Sequence, residues 1–311
     1  MKVTQTERYP AVLKQSRLSA VVAALLVGVL FVLQGSGAFA APKPVQQAQT
    51  SAERPMAAPL LGSNDVLLSD MGGVGNADGS IAVNPVVAYN VTDSQYLLVW
   101  EGLETATGSL NLHGQLIDAV TGLEIGTNDF LIADDVDAND AYGKPQVVWN
   151  SVNNEYLVIF EGDSQVAVGL TNELEVYAQR VAANGSLIGT PLRVSQMGTD
   201  GVNTADAFEP SVTHNATNNQ YAVVWYGDDL AGGRIDGEFE VYVQLLGFSG
   251  GNLIEVGGDV KVSDVGTTGS ATIRPEDPNI VWNSAANEYL VVWRSDDSGT
   301  DGDFDVYGQR L

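Results

Sequence analysis

The residues with the plainest chemical capacity in this chain are aspartates. "SDDSGTDGDFD" carries Asp296, Asp297, Asp301, Asp303 and Asp305, and "ADDVDANDAY" carries Asp134, Asp135, Asp137 and Asp140. Asp301, Asp303 and Asp305 alternate, so an extended backbone places them on one face, with Asp296 and Asp297 across the loop. Clustered oxygen donors without His or Cys suit a hard cation, and calcium is the cofactor they predict. Neither stretch is an EF-hand, because the glycine and glutamate of that loop are missing. The same carboxylates also serve as a solvated surface that keeps a protein soluble, and both readings stand at this stage.

Other chemistry is sparse. There are no cysteines and two histidines, so thiolate chemistry, disulfides and a Cys-ligated zinc are excluded. His113 and His214 stand where a repeat described below has Tyr or Trp, which argues against a Ser–His–Asp triad. A carboxylate pair for glycoside hydrolysis remains open with so many acids. Three aromatics sit in or beside variable loops: Tyr142 in "DAYGKP", Phe208 in "DAFEP" and Tyr226 in "WYGDD". A ring rimmed by carboxylates suits a sugar, so these three are candidate ligand-binding residues; their alternative role is to anchor loops.

The elements that must carry these residues are repeated. "NPVVAYNVTDSQYLLVW" from Asn84, "KPQVVWNSVNNEYLVIF" from Lys144, "EPSVTHNATNNQYAVVW" from Glu209 and "DPNIVWNSAANEYLVVW" from Asp277 are four copies of one phrase. A repeat must be recognised before any other assignment. Each copy keeps Asn six residues before Tyr, and the aromatic four residues later is Trp100, Phe160, Trp225 or Trp293. The fixed interval predicts a tight hairpin with Asn in an Asx-type or left-handed turn. A third strand follows ("LHGQLI", "VYAQRV", "VYVQLL", "VYGQRL"), and a fourth follows the first three copies ("DFLIAD", "PLRVSQ", "DVKVSD"). Four strands, here a to d, make an antiparallel meander that cannot bury both its faces alone. Radial stacking does, which predicts an all-β chain: a β-propeller of four four-stranded blades.

The fourth copy stops after strand c, whereas "DVLLSDMG" (residues 65–72) matches "DVKVSDVG" from Asp259. Residues 64–72 are therefore expected to complete the last blade, closing the ring without a free edge.

These units resemble a repeat of bacterial extracellular β-propellers, written "YLVVW…D…DVYGQRV…G…VS". The resemblance covers residues 64–311, and "NLHGQLI" in the first unit departs from it. It implies a fold and an extracellular setting rather than a ligand. The FG-GAP propellers of integrin-like proteins are distantly similar, without their Asp-x-Asp-x-Asp-Gly loop.

Residues 1–40 read as a signal peptide: Lys2, Arg8, Lys14 and Arg17, the apolar "LSAVVAALLVGVLFVLQ", then "AFA" before a cleavage site. An uncleaved anchor is the alternative. Residues 41–60 read as a flexible Pro/Ala/Gln linker, and 61–311 as the propeller. Beyond the leader, 38 acidic residues face 10 basic ones. That excess opposes nucleic acid and anionic membrane surfaces as partners. In a meander ring the b–c and d–a connections share one face; they hold 28 of those acids, and the a–b and c–d turns hold 8. Long variable loops on a rigid scaffold are where binding resides. The expectation is a monomeric module, secreted or on a bacterial surface, that binds a glycan or surface protein through this face. A carbohydrate-active hydrolase or lyase, and a purely structural repeat, are the alternatives.

Overall fold

In the computed structural model the described residues are 67–71, 80–104, 109–133, 143–163, 174–197, 205–229, 234–265, 271, 273–296 and 303–311. All belong to the unit Asn64–Leu311. The signal peptide and linker expected at 1–60 lie outside the described residues.

Fifteen strands form four antiparallel sheets, with no helix among the described residues. The first sheet is β1 (Ile81–Asn90), β2 (Gln95–Glu104), β3 (Ser109–Asp118) and β4 (Glu124–Ala133), hydrogen-bonded in chain order. The second is β5 (Gly143–Asn150), β6 (Glu155–Asp163), β7 (Leu174–Ala182) and β8 (Leu187–Arg193). The third is β9 (Ala207–Asn215), β10 (Gln220–Gly227), β11 (Glu240–Ser249) and β12 (Asn252–Lys261). The fourth has three strands: β13 (Pro275–Asn283), β14 (Glu288–Asp296) and β15 (Phe304–Arg310). The fourth strands start earlier than the sequence phrases suggested, because short turns after Asp118, Ala182 and Ser249 return the chain at once. β3 pairs with both neighbours despite its departure from the repeat pattern.

Successive sheets pack face to face as the blades of a β-propeller do, with β1, β5, β9 and β13 meeting in turn. Because side chains alternate along a strand, each blade offers one face to the blade before it and the other to the blade after. Leu97, Val99 and Leu112 of blade 1 meet Tyr156, Val158 and Phe160 of blade 2. Leu157, Ile159 and Val176 of blade 2 meet Tyr221, Val223 and Trp225 of blade 3. Ala222, Val224 and Val241 of blade 3 meet Tyr289, Val291 and Trp293 of blade 4. This explains why the b strands read as unbroken apolar runs: both of their faces are covered.

The a–b turns bear out the Asn expectation. Asn90 Oδ1 accepts from the N–H groups of Thr92 and Asp93, and Asn150 and Asn215 repeat the pattern. The left-handed residue is the one before each b strand: Ser94, Asn154, Asn219 and Asn287, at φ 49–54°. The amide nitrogens of Asn90, Asn150 and Asn215 reach onward to the next blade. Asn150 Nδ2 donates to Asn219 Oδ1 and Tyr221 Oη, both at 3.0 Å, and Asn215 does the same to Asn287 and Tyr289. One residue thus closes a hairpin and clasps two blades.

One seam differs. Val281 and Leu290 on the forward face of blade 4 are exposed, as are Val87 and Tyr89 on the backward face of blade 1. The described residues Leu67–Met71 form no strand and lie against blade 1: Trp100 Nε1 donates to Met71 Sδ at 3.0 Å, and Asp70 N–H to Asp129 Oδ2 at 3.0 Å. The four-stranded last blade expected from the sequence is therefore three-stranded among the described residues. Among the described residues no strand pairs with the outer edge of β15, and Leu67–Met71, expected there, lie against blade 1.

Candidate functional site

Each a strand carries a β-bulge at the same point. The register slips between Val83 and Val86, between Gly143 and Gln146, and between Glu276 and Asn279, and opposite Val224–Tyr226 in blade 3. The residue at the kink is Asn84, Lys144, Glu209 or Asp277, and all four have φ 51°. None is glycine and each precedes a proline. A left-handed non-glycine residue costs on the order of 1–3 kcal/mol and persists only where its surroundings impose it. Strain repeated at the same point of all four a strands marks that point as constrained.

What imposes it is visible in the hydrogen bonds. Lys144 N–H donates to Glu101 Oε1 at 2.7 Å, Glu209 N–H to Glu161 Oε1 at 2.5 Å, and Asp277 N–H to Glu209 Oε2 at 3.1 Å. In every case the carboxylate comes from the preceding blade, and a hydrogen bond to a charged acceptor is among the stronger kinds. Glu101 also accepts from Asn84 Nδ2 at 2.8 Å.

The four kinks converge. Residues 84–86, 144–146, 209–211 and 277–279, from all four sheets, line one cavity of about 380 Å³. Its wall holds an amide, an ammonium and two carboxylates. Lys144 Nζ stands 3.5 Å from Glu209, and Asp277 is paired with Arg294 at 2.7 Å. Both cavity carboxylates thus face cations. Behind the wall, burial pushes Glu161 up to about 7, against the N–H of Glu209 and the charge of Lys144, which lower it.

The residues expected from sequence fare differently. Phe208 and Tyr226 do come together, ring centroids 5.4 Å apart, and Phe239 joins them. Arg274 lies over all three rings at 4.6–5.9 Å and its Nη2 meets Tyr226 Oη at 2.5 Å. Burial raises the Tyr226 phenol. These rings hold a loop arginine, so they are occupied as anchors. Tyr142 lies outside the described residues, as do Asp134, Asp137, Asp140, Asp297 and Asp301.

Of the remaining acidic candidates, Asp305 is directly opposite Ser295, while Asp296 is opposite Phe304. Opposed residues share a face, so Asp296 lies on the other side of the sheet from Asp305. Asp303 and Asp305 are exposed and Asp296 is buried. Among the described residues no group of three or more His, Asp or Glu is placed to hold a metal ion. The histidines behave as repeat substitutions: His113 stacks on Trp100 at 6.0 Å, as Tyr177 does on Phe160 at 5.9 Å and Tyr242 on Trp225 at 6.2 Å. His214 Nε2 meets Asn219 Oδ1 at 3.4 Å, where Trp149 and Trp282 meet the matching Asn residues, and burial lowers its pKa.

The cavity residues Asn84, Lys144, Glu209 and Asp277 were not singled out by type or motif. Their signal was positional: a fixed proline preceded by a residue that differs in every copy.

No family model and no curated protein matches the chain. Among solved structures it is similar to a thermostable family-43 glycoside hydrolase, with 14% identity over 74% of this chain and 71% of the other, at a TM-score of 0.47. It is similar to the α-L-arabinofuranosidase Arb93A from Fusarium graminearum, with 12% identity over 74% and 62% and a TM-score of 0.48. The endo-arabinase from Bacteroides thetaiotaomicron VPI-5482 gives 12% identity over 73% and 74%, with a TM-score of 0.41. At these values the likeness carries no statement about activity.

Proposed function

We propose that this chain is a secreted or surface-tethered carbohydrate-binding module, its four sheets the blades of one ring and its site the central cavity. The observation that carries this is the convergence of Asn84, Lys144, Glu209 and Asp277, one from each blade, on a single cavity. A sugar presents hydroxyls that donate and accept in several directions at once. A wall of amide, ammonium and carboxylate, fixed by a strained backbone, supplies both roles without reorganising. A volume of about 380 Å³ suits one or two sugar residues. The reading moves the site from the outer acidic loops to the axis. Calcium stays part of the proposal for the loop aspartates, as a stabiliser of the rim.

Hydrolysis is a second reading, favoured by one observation. Glu161, which burial pushes up to about 7, accepts from the backbone N–H of Glu209, which lines the cavity. A carboxyl group raised toward neutrality beside a cavity is the usual general acid of such a reaction. Against it, Glu161 is buried behind the wall.

The test is a glycan array probed with the chain in millimolar calcium and again in excess chelator, followed by product analysis on every bound glycan. Binding without products supports the module, and loss with chelator adds the cation. Released sugar moves the assignment to the hydrolase. No binding on a broad array sinks the carbohydrate reading and leaves a protein ligand.

A further inference from the structure

The seams between blades 1 and 2 and between blades 2 and 3 are built from matching positions, and only one of them is filled at its outer end. Leu116 in "LHGQLI" corresponds to Arg180 in "VYAQRV". Phe130, opposite Gly114 in the first sheet, corresponds to Leu192, opposite Ala178 in the second. Between blades 1 and 2, Phe130 and Leu116 close over the turn that joins β7 to β8. A Cβ on Gly185, at φ 86°, would meet the Phe130 ring at 3.3 Å and Leu116 at 3.5 Å. Leu116 stands 3.7 Å from the same point of Gly126 in β4.

Between blades 2 and 3 the matching place is open among the described residues. Gly251, at φ 85° in the turn that joins β11 to β12, has nothing within 4 Å of where a side chain would begin, and neither has Gly189, the counterpart of Gly126. Arg180 does not cover them because it is held to one side. Its Nε and Nη2 donate to the two oxygens of buried Glu155 at 3.0 and 2.6 Å, and its Nη1 donates to Gly251 O at 2.8 Å. The bulge of β8 is also held by fewer bonds than its counterpart in β4. Gln115 Oε1 accepts the Asp129 N–H at 2.8 Å, but the matching residue in blade 2 is Pro191, which has no N–H. Buried Gln179 Oε1 accordingly has no partner among the described residues. The outcome is a cavity of about 320 Å³, with Arg180, Ile188, Thr190, Leu192, Asn252 and Leu253 in its wall.

The wall defines what fits. Arg180 is the one charged side chain that lines the cavity, and Glu155 neutralises it, so an uncharged ligand is favoured. Two of the five guanidinium N–H groups are left over, beside the Thr190 hydroxyl and the Asn252 amide. Ile188, Leu192 and Leu253 supply apolar surface, and glycines at 189 and 251 let a flat group approach the backbone. Arg180 already lies over the Phe248 ring at 5.1 Å, as a guanidinium does on an aromatic face. In the neighbouring seam the matching space holds the Phe130 ring. A cavity of about 150 Å³ already admits a benzene ring.

We propose that this cavity, between β8 and the β11–β12 turn, is a second binding site and takes a neutral aromatic ring that carries a hydroxyl, whether a free phenol or a tyrosine side chain. The ring takes the part that Phe130 plays one seam earlier, with its apolar body on Leu192 and Leu253 and its hydroxyl toward Arg180 and Asn252. The site shares no lining residue with the four-blade cavity and does not rest on the carbohydrate reading.

Fluorine NMR of para-fluorophenol added to the full chain reads occupancy. The expected result is saturable binding with a Kd on the order of 1 mM, displaced by para-cresol or by N-acetyltyrosinamide. The tighter competitor tells a free phenol from a side chain. Asn252→Trp, which places a ring in the cavity from an exposed position, and Leu192→Phe, which installs the blade 1 residue, should each weaken binding at least roughly tenfold. Ser186→Trp, at the matching exposed position of the filled seam, should leave it unchanged. Melting curves show that each variant is folded, and if one filling variant is not, the other decides. Absence of saturable binding up to roughly 20 mM would overturn the site. Equal displacement by cyclohexanol, or full binding by the folded filling variants, would overturn it too.

Discussion

The seam between blades 2 and 3 and the seam between blades 4 and 1 are made from the same repeat, and they differ in nearly every energetic respect. In the first, Leu157, Val223 and Trp225 are fully buried and the Asn150 clasp is made. In the second, Leu290 and Val281 are exposed, and Asn283, in the clasp position, bonds within its own blade. The lesson is that one blade is not a stable unit by itself. Each sheet has two apolar faces, and a seam is what converts them into a core, as expected where stability is a sum of repeat and neighbour terms.

The comparison can be broken by mutation. Leu157→Ala should cost about 2–5 kcal/mol, as for a buried leucine whose cavity cannot collapse. Its counterpart Leu290→Ala, at an exposed position, should cost under about 1 kcal/mol. Urea titrations of both variants beside the wild-type chain check this; equal costs at both positions would remove the distinction between the seams. A smaller effect is expected at the clasps. Asn150→Ala loses turn and inter-blade bonds together, about 1–3 kcal/mol, whereas Asn283→Ala loses a turn and one bond within its own blade. A larger loss at Asn283 would mean that its clasp is made in solution.

The smallest difference should appear with pH. Burial lifts Glu161 to about 7 from 4.5, and Asp259 to about 6 from 3.8, both beside the 2–3 seam. A carboxyl raised on folding binds its proton more tightly in the native state. Its stabilising contribution is therefore complete below the unfolded value and fades as pH rises through the folded one. The melting temperature should fall between pH 4.5 and pH 8, and Glu161→Gln should flatten the slope. A melting temperature that rises across that window contradicts the assignment.

Much of the scaffold was legible because repetition multiplies weak signals. One "NSVNNEYLVIF" is an ordinary hairpin; four copies in register fix the turn, the strand order and the face each residue takes. His113 and His214 were legible for the same reason. The site was not. Asn84, Lys144, Glu209 and Asp277 share no residue type, and a left-handed residue before proline runs against local preference. At Lys144, Glu209 and Asp277 the backbone N–H is held by a carboxylate of the preceding blade, and a contact between blades leaves no local mark. For Phe208 and Tyr226 the sequence left sugar contact and loop anchoring both open; what it did not show is the partner, Arg274, almost fifty residues after Tyr226, which lies over both rings. The acidic count of the loop face is a matter of composition, and a count does not place charges relative to one another.

The most direct test of the central claim sets the cavity against the loop face. Glycan binding is measured for the wild-type chain, for Glu209→Gln in the cavity wall, and for Asp303→Asn on the exposed rim. The account predicts at least a tenfold loss for Glu209→Gln and an unchanged affinity for Asp303→Asn. Full binding by Glu209→Gln together with a loss in Asp303→Asn would contradict it and return the site to the loops.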